Sequence, residues 1–178
     1  MIARDTWDCV VVGAGPAGAA TALLLARASW RVALVDAAHF PRQKVCGEYL
    51  STAAWQLLEG LGQAKLREAA VELSDMRLAV AGGRMAQLDF SPGPRSPAAL
   101  SRYTLDAALV DAARTAGVEI FEGYRVKQVR ANNGAVTGVE AVDVRHQRSL
   151  RTLRSPVIVA ADGRRSLVAR ETGRTVRA

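Results

Sequence analysis

The sequence predicts an α/β fold, a parallel sheet with helical crossovers and antiparallel strands added to it. Three observations predict it. The branched run Val10-Val11-Val12 breaks at Gly13 and opens into an Ala/Leu-rich segment ending near Ala28, which reads as strand, tight turn and helix. A second apolar strand, from Arg31 to Val35, follows at once and ends in Asp36. Further along the period changes from helical to alternating, and Asn132-Asn133-Gly134 joins two alternating runs as a hairpin turn.

The first turn carries the most chemistry. Gly13, Gly15 and Gly18 fall in the pattern G-x-G-x-x-G, with Ala14, Pro16 and Ala17 between them. Gly13 allows the tight turn, Gly15 lets the backbone approach a pyrophosphate, and Gly18 lets helix and strand pack closely. Free N–H groups and the helix dipole favour a phosphate there. Pro16 suits the first helical turn because its missing N–H has no intrahelical partner. In an Ala-rich chain the pattern alone is weak, but strand, glycines, helix, strand and acid all stand in order. The sheet is therefore read as a dinucleotide-binding, Rossmann-like one, with a plain βαβ packing unit as the alternative. Asp36 lies close to the ~20-residue offset of a carboxylate that holds ribose hydroxyls. Such an acid repels a 2′-phosphate, so FAD or NAD fits better than NADP.

After Asp36 comes an irregular stretch to Leu50, with Pro41 and Gly47 as breakers, able to run along an extended cofactor. Ser51 reads as the N-cap of a helix over 52–59, and a second helical piece spans 64–70. Residues 76–80 and 84–90 alternate around Gly82-Gly83, a β-hairpin. The three prolines between Ser91 and Pro97 mark the edge of an inserted piece. A short strand over 98–102 precedes a helix capped by Thr104 and stopped by Gly117. Strands over 118–121, 124–131, 135–145 and 157–160 follow, then Ala161-Asp162-Gly163 and a helix over 166–171. The expected division is a cofactor-binding domain, 1–72 with 98–178, and an inserted hairpin, 73–97, from an incomplete substrate domain.

Composition narrows the function. The 178 residues suffice for one domain with a sizeable core, or one and a part. The net charge of +7 rests almost wholly on arginine, densest at Arg164, Arg165, Arg170, Arg174 and Arg177. A basic balance suits nucleic acid or an anionic membrane. Aromatic residues at 5% leave few stacking platforms, and no five basic residues run together, so no nucleic-acid partner is expected. A solvated surface with a site for an anionic cofactor is the preferred reading. Cys9 and Cys46 give no disulfide framework, which points to the cytoplasm. Residues 9–26 carry no charge, but Asp5 and Asp8 precede them and glycines interrupt them, so neither a signal peptide nor an integral membrane segment is read there. His39 and His146 with the two cysteines match no common zinc pattern, so no metal is expected.

Four segments together resemble one family: Gly13-Ala14-Gly15-Pro16-Ala17-Gly18, Phe40-Pro41-Arg42-Gln43-Lys44-Val45-Cys46-Gly47-Glu48, Ser101-Arg102-Tyr103-Thr104-Leu105-Asp106 and Ala161-Asp162-Gly163-Arg164-Arg165-Ser166. The chain is similar, over essentially its whole length, to FAD-dependent oxidoreductases of the aromatic-hydroxylase superfamily, in the geranylgeranyl-reductase-like and halogenase-like branch. The resemblance implies FAD as cofactor, NAD(P)H as reductant, and a monooxygenase or reductase reaction on a small organic substrate. It implies that Gly13, Gly15, Pro16, Ala17 and Gly18 hold the pyrophosphate and Asp36 the adenosine ribose, where the family more often has Glu. Arg102 would face the phosphate or ribityl oxygens, and Asp162 with Gly163 would touch the cofactor in a motif linked to nicotinamide binding. Arg42, Lys44, Cys46 and Gly47 would lie in the loop beside the flavin. Against these roles stand a helix cap for Asp162, a surface role for Arg102 and a structural thiol for Cys46, whose catalytic role rests on that placement alone.

Family members are about twice as long, with separate cofactor and substrate regions. They carry a later Gly-Asp motif on the ribityl chain that this sequence does not contain. The expectation is a fragment, a truncated frame, or a chain completed by a second one. An NAD-binding dehydrogenase domain explains the first 36 residues equally well but leaves the later segments without roles. A basic nucleic-acid module and a non-catalytic remnant are the readings from other classes.

Overall fold

A computed structural model describes residues 6–93, 96–146 and 149–174. The expected arginine at Arg177 lies outside them. The chain divides into two compact units, one formed by residues 1–42 and 106–178 and the other by 43–105.

The first unit begins with β1 (Cys9–Val12), α1 (Pro16–Arg27) and β2 (Val32–Asp36). β1 pairs in parallel with β2, Val11 opposite Leu34. All four residues of β1 are buried, which is why it is a continuous apolar run and not an alternating one. Burying one such valine contributes about 1.5–3 kcal/mol. α1 presents its small side to the sheet, burying Gly18, Ala19, Ala22 and Leu23.

The second unit holds β3 (Tyr49–Leu50), α2 (Thr52–Gly60), a 3₁₀ helix (Ala64–Ala69), β4 (Val71–Glu72), β5 (Asp75–Ala79), β6 (Met85–Asp89) and β7 (Ala98–Ala99). β5 and β6 form the expected hairpin, Met76 opposite Leu88. β7 is flanked antiparallel by β3 and β4. Ser51 caps α2, its hydroxyl accepting from the Ala54 N–H at 3.3 Å. Trp55, Leu58 and Leu100 are buried, and Arg67 lies over the Trp55 ring at 5.0 Å.

α3 (Arg102–Thr115) starts two residues before the expected Thr104. The Ser101 hydroxyl accepts from the Thr104 N–H at 3.2 Å, so serine is the cap and the preceding strand ends at Ala99. The piece at 64–70 is a 3₁₀ helix with no buried residue.

The first unit resumes with β8 (Glu119–Glu122), β9 (Tyr124–Asn132), β10 (Ala135–Asp143), β11 (Leu150–Arg154), β12 (Ile158–Ala160) and α4 (Leu167–Glu171). The parallel sheet has the order β12-β1-β2-β8, and β11-β10-β9 form an antiparallel sheet. The β9–β10 turn uses positive φ at Asn133 and Gly134 (49° and 78°), the conformation a tight hairpin demands. β11 escaped the sequence reading because its apolar residues, Leu150 and Leu153, do not alternate; it is held by backbone pairing to β10. One core joins the two sheets: Trp7, Val10, Val12, Val35, Phe121, Val139 and Leu153 are packed together and buried. Trp7 and Phe121 meet edge to face at 5.6 Å. Among the described residues no helix is long and apolar enough to cross a membrane.

Candidate functional site

The site is built where β1 turns into α1. Gly13 has φ +98°, and its N–H donates to the Val35 carbonyl at 2.7 Å. A Cβ on Gly13 would stand 2.4 Å from the Ala161 carbonyl oxygen, and one on Gly18 would stand 1.8 Å from the Gly13 oxygen. The turn therefore threads between the 161–162 segment and the helix with no room for a side chain at either position. Gly15 is the N-cap of α1 in extended conformation, φ −71° and ψ −179°. No side chain caps this helix, its first turn holds no acid, and Pro16 follows the cap. The N-terminal N–H groups and the dipole are thus left for an anion from outside, the arrangement that binds a phosphate.

Asp36 ends β2 beside this turn. Its Oδ2 accepts from the Ala14 N–H at 2.8 Å and its Oδ1 from the Ala38 N–H at 2.8 Å. The carboxylate clamps the glycine turn to the start of the next loop, a role the sequence did not disclose. Each oxygen keeps a second lone pair that a sugar hydroxyl can use.

Asp162 follows β12, at the carboxyl end of the parallel sheet, where open α/β sheets take ligands. Its Oδ2 accepts from the Leu167 N–H at 2.7 Å, so it does restrain the start of α4, together with Ser166, which accepts from Ala169 at 3.0 Å. Its Oδ1 is buried without a hydrogen-bond partner among the described residues. A buried oxygen left so is costly, and a hydroxyl-rich cofactor supplies the missing donor. The turn, the uncapped helix and this oxygen fit a dinucleotide such as FAD. Gly163, at φ +88°, is exposed.

Arg42 forms an ion pair with Asp106 at 2.8 Å and lies 5.0 Å from the Phe40 ring centroid. The structure places its charge against a buried carboxylate. The other nominated residues belong to the second unit. Lys44, Cys46 and Gly47 lie in an exposed loop, and the Glu48 N–H donates to the Cys46 sulfur at 3.4 Å. Arg102 opens α3, and its backbone N–H donates to the Glu48 carboxylate at 3.3 Å. Glu48 and Asp106, both within the family-like segments, act as anchors: Glu48 accepts from the Arg102 N–H and Asp106 pairs with Arg42. Burial, with the Asp8 carboxylate beside it, raises the Cys9 thiol above its ordinary range, so Cys9 is a core side chain and not a nucleophile. Among the described residues, no three His, Cys, Asp or Glu side chains gather as a metal site would.

Comparison with known proteins agrees with this geometry. The model of the family described as FAD binding domain matches residues 6–178. A menaquinone reductase of Mycolicibacterium smegmatis is 36% identical over 184 residues, covering 94% of this chain and 40% of the relative. The myxobacterial chondrochloren halogenase, an FAD-dependent halogenase, superposes with a TM-score of 0.80 at 22% identity, covering 92% of this chain and 39% of the other. A geranylgeranyl bacteriochlorophyll reductase-like protein of Thermoplasma acidophilum superposes with a TM-score of 0.76 at 24% identity, covering 89% and 40%. At these identities the two structures show the fold alone. The chain spans about two fifths of the length of the relatives it matches.

Proposed function

The chain belongs to the FAD binding domain family, and from that premise we propose that it is the FAD-holding portion of an oxidoreductase acting on a small organic substrate. The observation that carries the reading is the uncapped N-terminus of α1 behind a turn in which neither Gly13 nor Gly18 has room for a Cβ. When bound, FAD supplies two-electron redox chemistry, taking a hydride from a donor and passing reducing equivalents to oxygen or to a substrate. NAD(P)H is the donor this reading assigns.

The residues of this chain bind and orient. The backbone N–H groups of Ala17 and Gly18 carry pyrophosphate charge. Asp36 accepts from ribose hydroxyls while it keeps the glycine turn in place. Asp162 receives a hydrogen bond at its free Oδ1, with Gly163 beside it. Arg102 serves phosphate or ribityl oxygens, where a guanidinium fork binds two acceptors at once. Arg42, bound to Asp106, fixes the beginning of the loop whose Lys44, Cys46 and Gly47 line the flavin. Cys46 is the candidate for proton chemistry there. A reductase of an apolar, quinone-like substrate is favoured by the menaquinone reductase relative; a monooxygenase or halogenase reaction is supported only by likeness of fold. The cytoplasm is the proposed location, and no nucleic-acid partner is assigned.

The test is an absorption spectrum of the purified chain after incubation with FAD and removal of unbound cofactor by gel filtration. Retained bands near about 370 and about 450 nm are expected from protein-held flavin. A folded, soluble chain that emerges without them overturns the reading.

A further inference from the structure

The antiparallel sheet β11-β10-β9 lies within the first unit and has two unlike faces. Val126, Val139, Ala141 and Leu153 turn into the core, and Tyr124 and Val129 pack against it. Side chains alternate across a strand, so the neighbours of these residues occupy the opposite face. The register sets Arg125 near one end of that face, Gln128, Glu140 and Thr152 across its middle, and Arg130 and Arg154 at the other end. Lys127 is exposed at the irregularity between Val126 and Gln128. Four exposed cations thus share the face with one acid. Glu140 pairs with Arg130, and among the described residues Arg125, Lys127 and Arg154 form no ion pair. Asp143, opposite Tyr124, falls on the core side of the register, and its carboxylate accepts from the Arg145 and His146 N–H groups.

Like charges held on one face repel one another and draw a negative partner. β9 and β10 each run nine residues, so the face is roughly 30 Å long and about 14 Å across. The cations are spread along it, with Arg125 and Arg130 roughly 15 Å apart on β9. A compact anion reaches one of them at a time, whereas an extended array of carboxylates meets them all. Among the described residues the face holds no aromatic ring to stack a base, and Leu150 is its one exposed large apolar side chain, too little to insert into a bilayer. Gln128 and Thr152, between the cations, offer the directed hydrogen bonds of a protein contact. We propose that the outer face of the β11-β10-β9 sheet docks an acidic protein surface. A face of this size makes the contact a transient, salt-sensitive one. The inference holds whether or not the chain retains FAD.

The experiment follows the fluorescence anisotropy of a labelled oligoglutamate of about ten residues, which spans the face when extended, as the chain is titrated in. The wild type is compared with R125E/R154E, with the milder R125Q/R154Q, and with K65E/R84E, which changes net charge as R125E/R154E does but at exposed positions of the second unit. Binding to the wild type is expected at low ionic strength and should weaken as salt rises. R125E/R154E should weaken it at least about fivefold and R125Q/R154Q by less, while K65E/R84E should bind as the wild type does. Glu140→Gln removes the one acid of the face and frees Arg130, so it should tighten binding. Glu59→Gln, which adds the same net charge on α2, should leave it unchanged. Should a double variant of the sheet fail to fold, the comparison of E140Q with E59Q decides. Absence of oligoglutamate binding to the wild type, equal weakening in K65E/R84E, or equal tightening in E59Q overturns the proposal. So does tighter binding of phosphatidylglycerol vesicles or duplex DNA at the same salt with the same dependence on Arg125 and Arg154, because the face then serves a lipid or a nucleic acid.

Discussion

Arg42 and Asp106 form an ion pair 2.8 Å long at the two points where the chain passes between its compact units. Arg42 is the last residue of the first segment, Asp106 the first of the returning one. The Asp106 side chain is 0% exposed and that of Arg42 15%. Removing one partner of a buried pair leaves a charge without compensation, at a cost of about 3–5 kcal/mol. Asp106→Ala should therefore lower unfolding stability by about 3 kcal/mol in a urea titration. R42M/D106L, which removes both charges and keeps apolar volume, should recover most of the loss. Equal destabilisation of the single and the double variant would show that packing, not charge, matters here.

Gly18→Ala tests the closeness of helix and strand. Its Cβ would collide with the Gly13 oxygen, a backbone atom that cannot swing aside. Overpacking of this kind costs about 1–3 kcal/mol and displaces the uncapped start of α1, the proposed phosphate site. The variant should fold with a lowered thermal midpoint and fail to retain the 450 nm absorbance that is expected of the wild type after gel filtration. Unchanged flavin retention would remove α1 from the site.

Asp36 should matter twice. Asp36→Ala removes the acceptor of both the Ala14 and Ala38 N–H groups and leaves the turn loosened. Hydrogen bonds to a carboxylate contribute about 1.5–3 kcal/mol each. FAD affinity, followed by flavin fluorescence, should fall at least about tenfold, with a parallel loss of stability. Asp36→Asn keeps one acceptor oxygen and should fall between the two. A ribose role alone would weaken FAD binding and leave the stability of the cofactor-free chain unchanged.

How far the sequence revealed this depended on how local each feature is. The glycine turn, β1, β2 and the Asn133-Gly134 hairpin were legible because periodicity and special backbone conformations leave local marks. The reach of Asp36 to Ala14 was not, since an offset along the chain says which residue is near but not which donors it meets. β11 was not legible either, because its stability comes from backbone pairing to β10 and its side chains show no period. Strands as short as β3 and β4 have no pattern to read. The Asp162 carboxylate shows why two readings of one residue need not compete: one oxygen restrains α4 and the other, buried without a partner among the described residues, is compatible with the proposed cofactor contact.

Acid sensitivity should trace in part to Glu72. The Ser96 hydroxyl first, then the Gly93 N–H, donate to its carboxylate and hold it below the ordinary glutamate range, with Arg67 at 3.6 Å adding to the effect. A carboxylate with a lowered folded-state pKa stabilises the fold fully above the unfolded-state value, and that contribution disappears as pH falls through the folded-state value. Because the group is solvent-exposed, the effect is expected to be small and salt-sensitive. Glu72→Gln removes it, while Arg67 keeps its hydrogen bond to the Ser96 carbonyl at 2.7 Å. Thermal midpoints followed from about pH 7 to about pH 3 should converge for wild type and E72Q at the acid end and separate above the usual glutamate range. Curves that stay parallel throughout would mean that the Ser96 and Gly93 contacts form equally well with the neutral side chain, and that the acid limb arises at other carboxylates, with Asp143, lowered by the N–H groups of Arg145 and His146, the next to test.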